Sequence, residues 1–365
     1  MPDSQGGMQE CIRQLCLQTK QYGVQNTVLT VSPNVSRVEE LQRPECHLVR
    51  FPQSFDVAST ALSVQMMKAY AEVVQDSDLI HYHFPWPVAD AMHYIHNIDK
   101  PYIITYQSDI VKQRFLKVLY APLMKKFLLG ARCITVASPN YLSSSPVLAQ
   151  FKDKCQVMPL GLDESSYPSN VTKQMAYWTD KLGKEPFFLF VGALRYYKGL
   201  QFLIQALEGT NYKLVLAGIG PMEAMLKKEV HSRNLQSQVL FTGFLADEDK
   251  VALLQLCHAF VFPSHLRSEA FGISLLEAAM FGKPLISCEI GTGTTFINQD
   301  KQTGLVVRPE SPGELRDAMR FLMDEGHAKT VAQMGKAARE RFEEVFTAQG
   351  MGKTCFRIYQ EVLGY

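Results

Sequence analysis

No uninterrupted apolar run in the 365 residues is long enough to span a bilayer, so nothing argues for a transmembrane segment. The N-terminus has neither the basic nor the apolar region of a secretory signal. The eight cysteines are scattered, with no C-x-x-C pair and no Cys/His cluster at zinc spacing. Reduced thiols in a cytoplasmic protein are the simplest reading of them. Neither sign of charge is in excess. The formal net charge of +1 removes any global electrostatic case for nucleic acid as a partner. What is present is a globular composition, 47% hydrophobic and 20% charged. The chain exceeds one ordinary core, which predicts two domains.

The most informative stretch runs from Glu269 to Glu277, two carboxylates eight positions apart around Gly272 and Ser274. Upstream, residues 259–264 read as a short buried strand running into a loop. Downstream, residues 273–281 read as a helix closed by Gly282. Glu269 then belongs to the loop and Glu277 to the helix. Free N–H groups and the positive dipole end at the helix start favour an anion. A loop acid beside such a start suits a ligand with hydroxyls at one end and a diphosphate at the other, as in a nucleotide sugar. The bland alternative is a helix with an ordinary surface Glu beside it.

The surroundings, from Pro263 to Ile286, closely resemble the signature of retaining glycosyltransferases with the GT-B fold, family 4. That resemblance covers nearly the whole chain and implies an α/β architecture of two doubly wound Rossmann-like domains facing a cleft. The expected boundaries are residues 1–164 for an acceptor domain and 165–346 for a donor domain, with a final helix, 347–365, returning to the first. The resemblance also implies a metal-independent reaction without a cofactor. Glu269 would hold sugar hydroxyls and Glu277 the ribose hydroxyls. Phe271, Gly272, Ile273, Ser274 and Leu275 would lie along the phosphates.

The loop Ala193-Leu-Arg-Tyr-Tyr-Lys-Gly199 follows a buried strand and resembles the family's Gly-Arg-x-x-x-x-Lys-Gly segment, whose cations hold the donor diphosphate. Lys198 matches directly. Ala193 stands at the usual Arg position, with Arg195 two residues on. The alternative is a pair of surface cations before a helix. Gly218 and Gly220 end the next strand, and Phe244 with Leu245 follows the one after. In the family these loops flank the nucleotide base.

In the N-terminal half, loop chemistry and a helix (about 8–22) precede the first clear strand, 27–31. A Rossmann-like domain normally begins with a strand, so the first strand is expected to be missing. Gly6 and Gly7 sit before the helix, where the family's loop approaches the donor phosphates. His81 and His83 alternate in a strand and should share one face. Gln107 stands where many relatives have His, and it cannot carry a proton charge. His83, Gln107 and Asp109 are the candidates for acceptor or sugar contact. Residues 110–130 read as an apolar and basic helix. It fits packing on the sheet with snorkelling lysines, and also an anionic membrane surface.

Sequence details such as His81-Tyr-His-Phe-Pro-Trp-Pro87 and Gly291-Thr-Gly-Thr294 resemble bacterial mannosyl- and rhamnosyltransferases of O-antigen and surface polysaccharide. The implied donor is GDP-mannose. The implied acceptor is a glycan or polyprenyl-linked glycan at the cytoplasmic face of the inner membrane. Two alternatives stay open: a nucleotide-sugar epimerase of the same fold, and a catalytically silent sugar-nucleotide-binding subunit.

Overall fold

A computed structural model describes residues 7–57, 60–110 and 114–365. The chain divides into two compact units. One comprises the residues up to Gly161 together with Thr347–Tyr365, and the other comprises Leu162–Phe346.

The first unit opens with helix α1 (Gly7–Lys20), then β1 (Thr27–Ser32), β2 (Glu39–Gln42) and β3 (His47–Pro52). A hairpin follows, β4 (Phe55–Val57) and β5 (Thr60–Leu62), and then helix α2 (Val64–Val74). Strand–helix alternation continues through β6 (Ile80–Phe84), α3 (Pro87–Ile95), β7 (Tyr102–Tyr106) and α4 (Arg114–Gly130). Strand β8 (Cys133–Val136), α5 (Pro139–Ser144) and β9 (Cys155–Val157) complete the run. These strands make two larger sheets, ordered β1-β3-β2 and β6-β7-β8-β9. Among the described residues no strand joins the free edge of β1 to that of β6. Strands β7 and β8 are buried throughout, whereas the middle residues of β1 are half-exposed.

The second unit starts with α6 (Thr172–Leu182), which the sequence pattern did not predict, and β10 (Phe187–Val191). It continues through α7 (Leu200–Ala206), β11 (Lys213–Ala217), α8 (Glu223–Ser232), β12 (Val239–Gly243) and α9 (Asp247–Leu256). Then come β13 (Ala259–Phe262), α10 (Ile273–Met280), β14 (Leu285–Cys288), α11 (Thr294–Ile297) and β15 (Gly304–Val307). Helices α12 (Pro312–Met323) and α13 (Ala328–Val345) close the unit. All six strands are parallel in one sheet, ordered β12-β11-β10-β13-β14-β15. Their near-continuous apolar sequences, such as Phe187–Val191, fit a sheet covered by helices on both faces.

The last helix, α14 (Ala348–Leu363), belongs to the first unit and packs against α1. Tyr22 stacks on Phe356 at 4.7 Å between ring centroids. Gly352 permits the approach, because a Cβ there would lie 2.2 Å from the Gln18 side chain.

Candidate functional site

In an open parallel sheet, ligands bind outside the carboxyl ends of the strands, where the strand order reverses. In the second unit that point lies between β10 and β13. The loops leaving these two strands carry Lys198 and Glu269. The Lys198 Nζ donates to Glu269 Oε2, and Ser264 Oγ donates to the same oxygen at 3.3 Å. Both side chains are largely buried, at 10% and 12% exposure, so water screens the pair weakly. The ammonium also sits over the Phe262 ring, 4.5 Å from its centroid.

The two loops touch through a glycine. Gly199 holds a left-handed φ of +69°, and a Cβ on it would lie 2.1 Å from the Pro263 carbonyl oxygen. It also starts α7 without a side-chain cap. Gly272 does the same for α10, with φ +104° and no side-chain cap. The first N–H groups of α10 are therefore left without a side-chain acceptor, and Ile273 and Ser274 there are half-exposed. Two helix starts and a lysine thus converge on the exit of β10 and β13. Such a place can hold a diphosphate.

Arg195 is exposed and opens the short turn Tyr196–Lys198. Phe271 and Leu275 are buried, and the Phe271 ring packs on Phe346 at 6.1 Å. Only their backbone groups remain for a ligand. Gly218 and Gly220 are packing glycines. A Cβ on either would lie 2.0 Å from the Gly192 carbonyl oxygen or 2.5 Å from that of Leu194. They bring the loop after β11 onto the loop after β10. Phe244 is exposed and Leu245 half-buried, just ahead of α9.

Glu277 lies one turn into α10 and is only 6% exposed. Tyr167 donates its hydroxyl to Glu277 Oε1 at 2.9 Å, and Lys250 Nζ reaches the same oxygen at 2.9 Å. Burial works to lower the Lys250 pKa, but Glu277 and Asp247 outweigh it and hold the ammonium above its ordinary value. Neither Tyr167 nor Lys250 was legible as a site residue. They lie 110 and 27 positions from Glu277, and no periodicity links them.

In the first unit His83 and Gln107 end the adjacent strands β6 and β7, and Gln107 Nε2 donates to His83 Nδ1 at 3.3 Å. The His81 and His83 rings stack at 4.7 Å, as strand alternation requires. His81 is bound on both sides, by the Tyr359 hydroxyl at 2.8 Å and by Thr105 Oγ1 at 2.6 Å. Burial lowers the His83 pKa to about 4. Asp109 accepts from the Tyr106 hydroxyl at 2.9 Å and from Ser145 at 2.7 Å. It is built into the exit of β7. Gly7 is the first residue of α1, while Gly6 lies outside the described residues. Of the basic, apolar segment 110–130, residues 111–113 lie outside them too. In the last turns of α4, Met124, Phe127 and Leu128 are buried, and Lys125, Lys126 and Leu129 are exposed.

Residues 178–341 match the family model described as Glycosyl transferases group 1, and residues 5–166 match Glycosyltransferase Family 4. The D-rhamnosyltransferase WbpZ of Pseudomonas aeruginosa is 46% identical, covering 95% of this chain and 90% of its own. The O-antigen chain mannosyltransferase C of Escherichia coli is 43% identical, covering 99% and 96%. Among solved structures, sucrose-phosphate synthase from Thermosynechococcus elongatus superposes with a TM-score of 0.78 at 21% identity, covering 98% of this chain and 94% of its own. Anabaena HepE in complex with UDP and glucose gives 0.77 at 16% identity, covering 98% and 96%. At these identities the two structures show the fold alone.

Proposed function

Since this chain belongs to glycosyltransferase family 4 and has the GT-B fold, we propose that it moves mannose from GDP-mannose to a lipid-linked glycan in O-antigen assembly, with retention of configuration. The names of these two relatives, a rhamnosyltransferase and a mannosyltransferase, support the sugar class, and the second name supports the pathway. The observation that carries the reading is the Lys198–Glu269 pair at the switch point of the donor-type sheet, beside two glycine-started helices. A departing diphosphate needs positive charge. Lys198, Arg195 and the N–H groups of Ile273, Ser274 and Leu275 supply it without a metal ion. Glu269 then exchanges its lysine partner for sugar hydroxyls and fixes the pose of the reacting carbon. Glu277 accepts from the ribose hydroxyls. No protein nucleophile is assigned, and the acceptor hydroxyl attacks the face the diphosphate leaves. His83, Gln107 and Asp109 are assigned to acceptor or sugar contact.

No helix among the described residues is long and apolar enough to cross a membrane. The exposed Lys125, Lys126 and Leu129 on α4 support peripheral contact with the anionic cytoplasmic face of the inner membrane.

Incubation with GDP-mannose and a lipid-linked O-antigen primer, with and without chelator, tests the reading. The expected result is GDP plus an α-linked product, unchanged by chelator, with NMR giving the anomeric configuration. A parallel reaction with the 6-deoxy donor, GDP-D-rhamnose, decides the sugar. A new donor sugar without GDP release would identify an epimerase, and no turnover with tight nucleotide binding a silent subunit. Either result overturns the proposal.

A further inference from the structure

The ribose end of the donor site carries more machinery than its carboxylate. This inference rests on the reading of Glu277 as the ribose acceptor. A carboxylate oxygen offers two lone pairs. Both of those on Glu277 Oε1 are taken, by Tyr167 at 2.9 Å and Lys250 at 2.9 Å. Among the described residues none donates to Oε2. That oxygen retains two acceptor sites, the number a vicinal diol fills.

The two donors are themselves fixed from three different segments. Tyr167 lies in the stretch that enters the second unit, and its ring packs edge-on against Phe281 at 6.3 Å. Lys250 projects from α9, pairs a second time with Asp247 at 3.1 Å, and lies 5.2 Å from the centroid of the Tyr167 ring. The Glu277 side chain is 8% exposed, so its charge is sustained by these partners rather than by water.

We propose that Tyr167 and Lys250 are positioning residues for nucleotide recognition: by saturating Glu277 Oε1 they turn Oε2 toward the 2′- and 3′-hydroxyls of the donor ribose. Neither touches the sugar being transferred. Their removal therefore weakens ground-state and transition-state binding alike, raising the donor KM while kcat at saturating donor stays nearly unchanged.

The test measures binding of GDP and of 2′-deoxy-GDP to the full-length protein by calorimetry, for wild type, E277Q, Y167F, K250M and K250R. Wild type should prefer GDP, by about tenfold or more, because a hydrogen bond to a charged acceptor is lost in the deoxy compound. E277Q should erase the preference. Y167F and K250M should each shrink it several-fold, and K250R should restore most of it. Y167F deletes a single oxygen, so it keeps the test open if K250M fails to fold. Full preference retained in both Y167F and K250M would overturn the proposal. So would an equal loss of affinity for GDP and 2′-deoxy-GDP, which marks a merely structural role. If wild type and E277Q bind GDP equally, the reading of Glu277 itself fails, and that result is distinct from the other two.

Discussion

In the second unit six strands form one unbroken parallel ladder, while in the first unit the strands among the described residues fall into a three-stranded, a four-stranded and a two-stranded sheet. The burial follows the ladder. Strands β13 and β14 are buried at every position, but Val28 to Val31 of β1 are all half-exposed. Helices hold the first unit together instead. Ile12 and Cys16 of α1 pack on the smaller sheet with Val28 and Leu48. Helix α14 stacks on Tyr22 just past α1 and reaches the larger sheet through Tyr359 and His81. Helix α2 reaches it through the Tyr70 and Tyr82 hydroxyls. The same alternation of strand and helix thus gives two kinds of core. In one, backbone pairing and apolar packing coincide; in the other, side chains on α1, α2 and α14 bridge a break in pairing.

The largest expected effect lies at the switch point of the continuous sheet. Lys198→Met should cut transfer by about 10²–10³-fold, the scale for losing one donor aimed at developing charge. It should weaken GDP binding as well. Glu269→Gln should reduce transfer comparably while leaving GDP binding intact or tighter, because GDP lacks the sugar and Lys198 is released from its carboxylate partner. Calorimetry with GDP beside initial rates with GDP-mannose separates the two. Weaker GDP binding in Glu269→Gln would break the assignment of Glu269 to the sugar end. Substitutions at His83 or Gln107 in the split unit should leave GDP affinity unchanged.

Packing gives the next effect. Phe260→Ala, in a strand with partners on both sides, should cost about 3–5 kcal/mol. Leu29→Ala, on the edge strand of the smaller sheet, should cost about 1 kcal/mol. Hydrogen exchange by mass spectrometry reads the difference directly. Protection should fall across β10 to β15 in the first variant and only in β1 and β3 in the second. Equal spreading in both would show that the two units share one cooperative core.

That contrast also marks what the sequence made legible. From β10 onward the alternation of strands and helices was readable in the second unit, because its buried strands are short apolar runs between glycine turns, such as Phe187–Val191 ahead of Gly192. The start of α10 at Gly272 was readable for the same reason. In the first unit, β2, β4 and β5 carry no such signal. Glu39–Gln42 alternates half-exposed and exposed residues and, among the described residues, pairs along one edge, with β3. Of the site, Lys198, Glu269 and Glu277 were legible as motif positions. Their partners were not, because Tyr167 and Lys250 are brought to Glu277 by packing of α9 and of the stretch entering the unit. Gly218 and Gly220 show something else the pattern did not reveal: without a Cβ at either position, the loops after β10 and β11 pack together.

The smallest effect tests the bridged core by pH. Burial, and then the neighbouring His83, holds the His81 pKa well below its ordinary value, and burial brings His83 to about 4. In the unfolded chain both imidazoles take protons near pH 6.5. Between about 6.5 and 4 the unfolded state therefore binds more protons than the native one, and stability falls as the pH falls. Asp90 on α3 acts in the opposite direction. Burial raises its carboxyl to about 7, against the Tyr120 hydroxyl bond that lowers it, so acidification from 7 toward 4 protonates it in the native state first and favours folding. His265 in the second unit is also lowered, by burial first, so wild-type melting curves alone do not isolate the pair in β6. His83→Gln does. It removes one titration and keeps a hydrogen-bonding group beside Gln107. The drop in melting temperature between pH 7 and pH 4.5 should shrink by about 2–4 °C relative to wild type, with Asp90 and His265 common to both proteins. An unchanged or larger drop would mean that the strand-end histidines do not stay neutral in the folded chain, and that the half-exposed edge of β6 admits water to them.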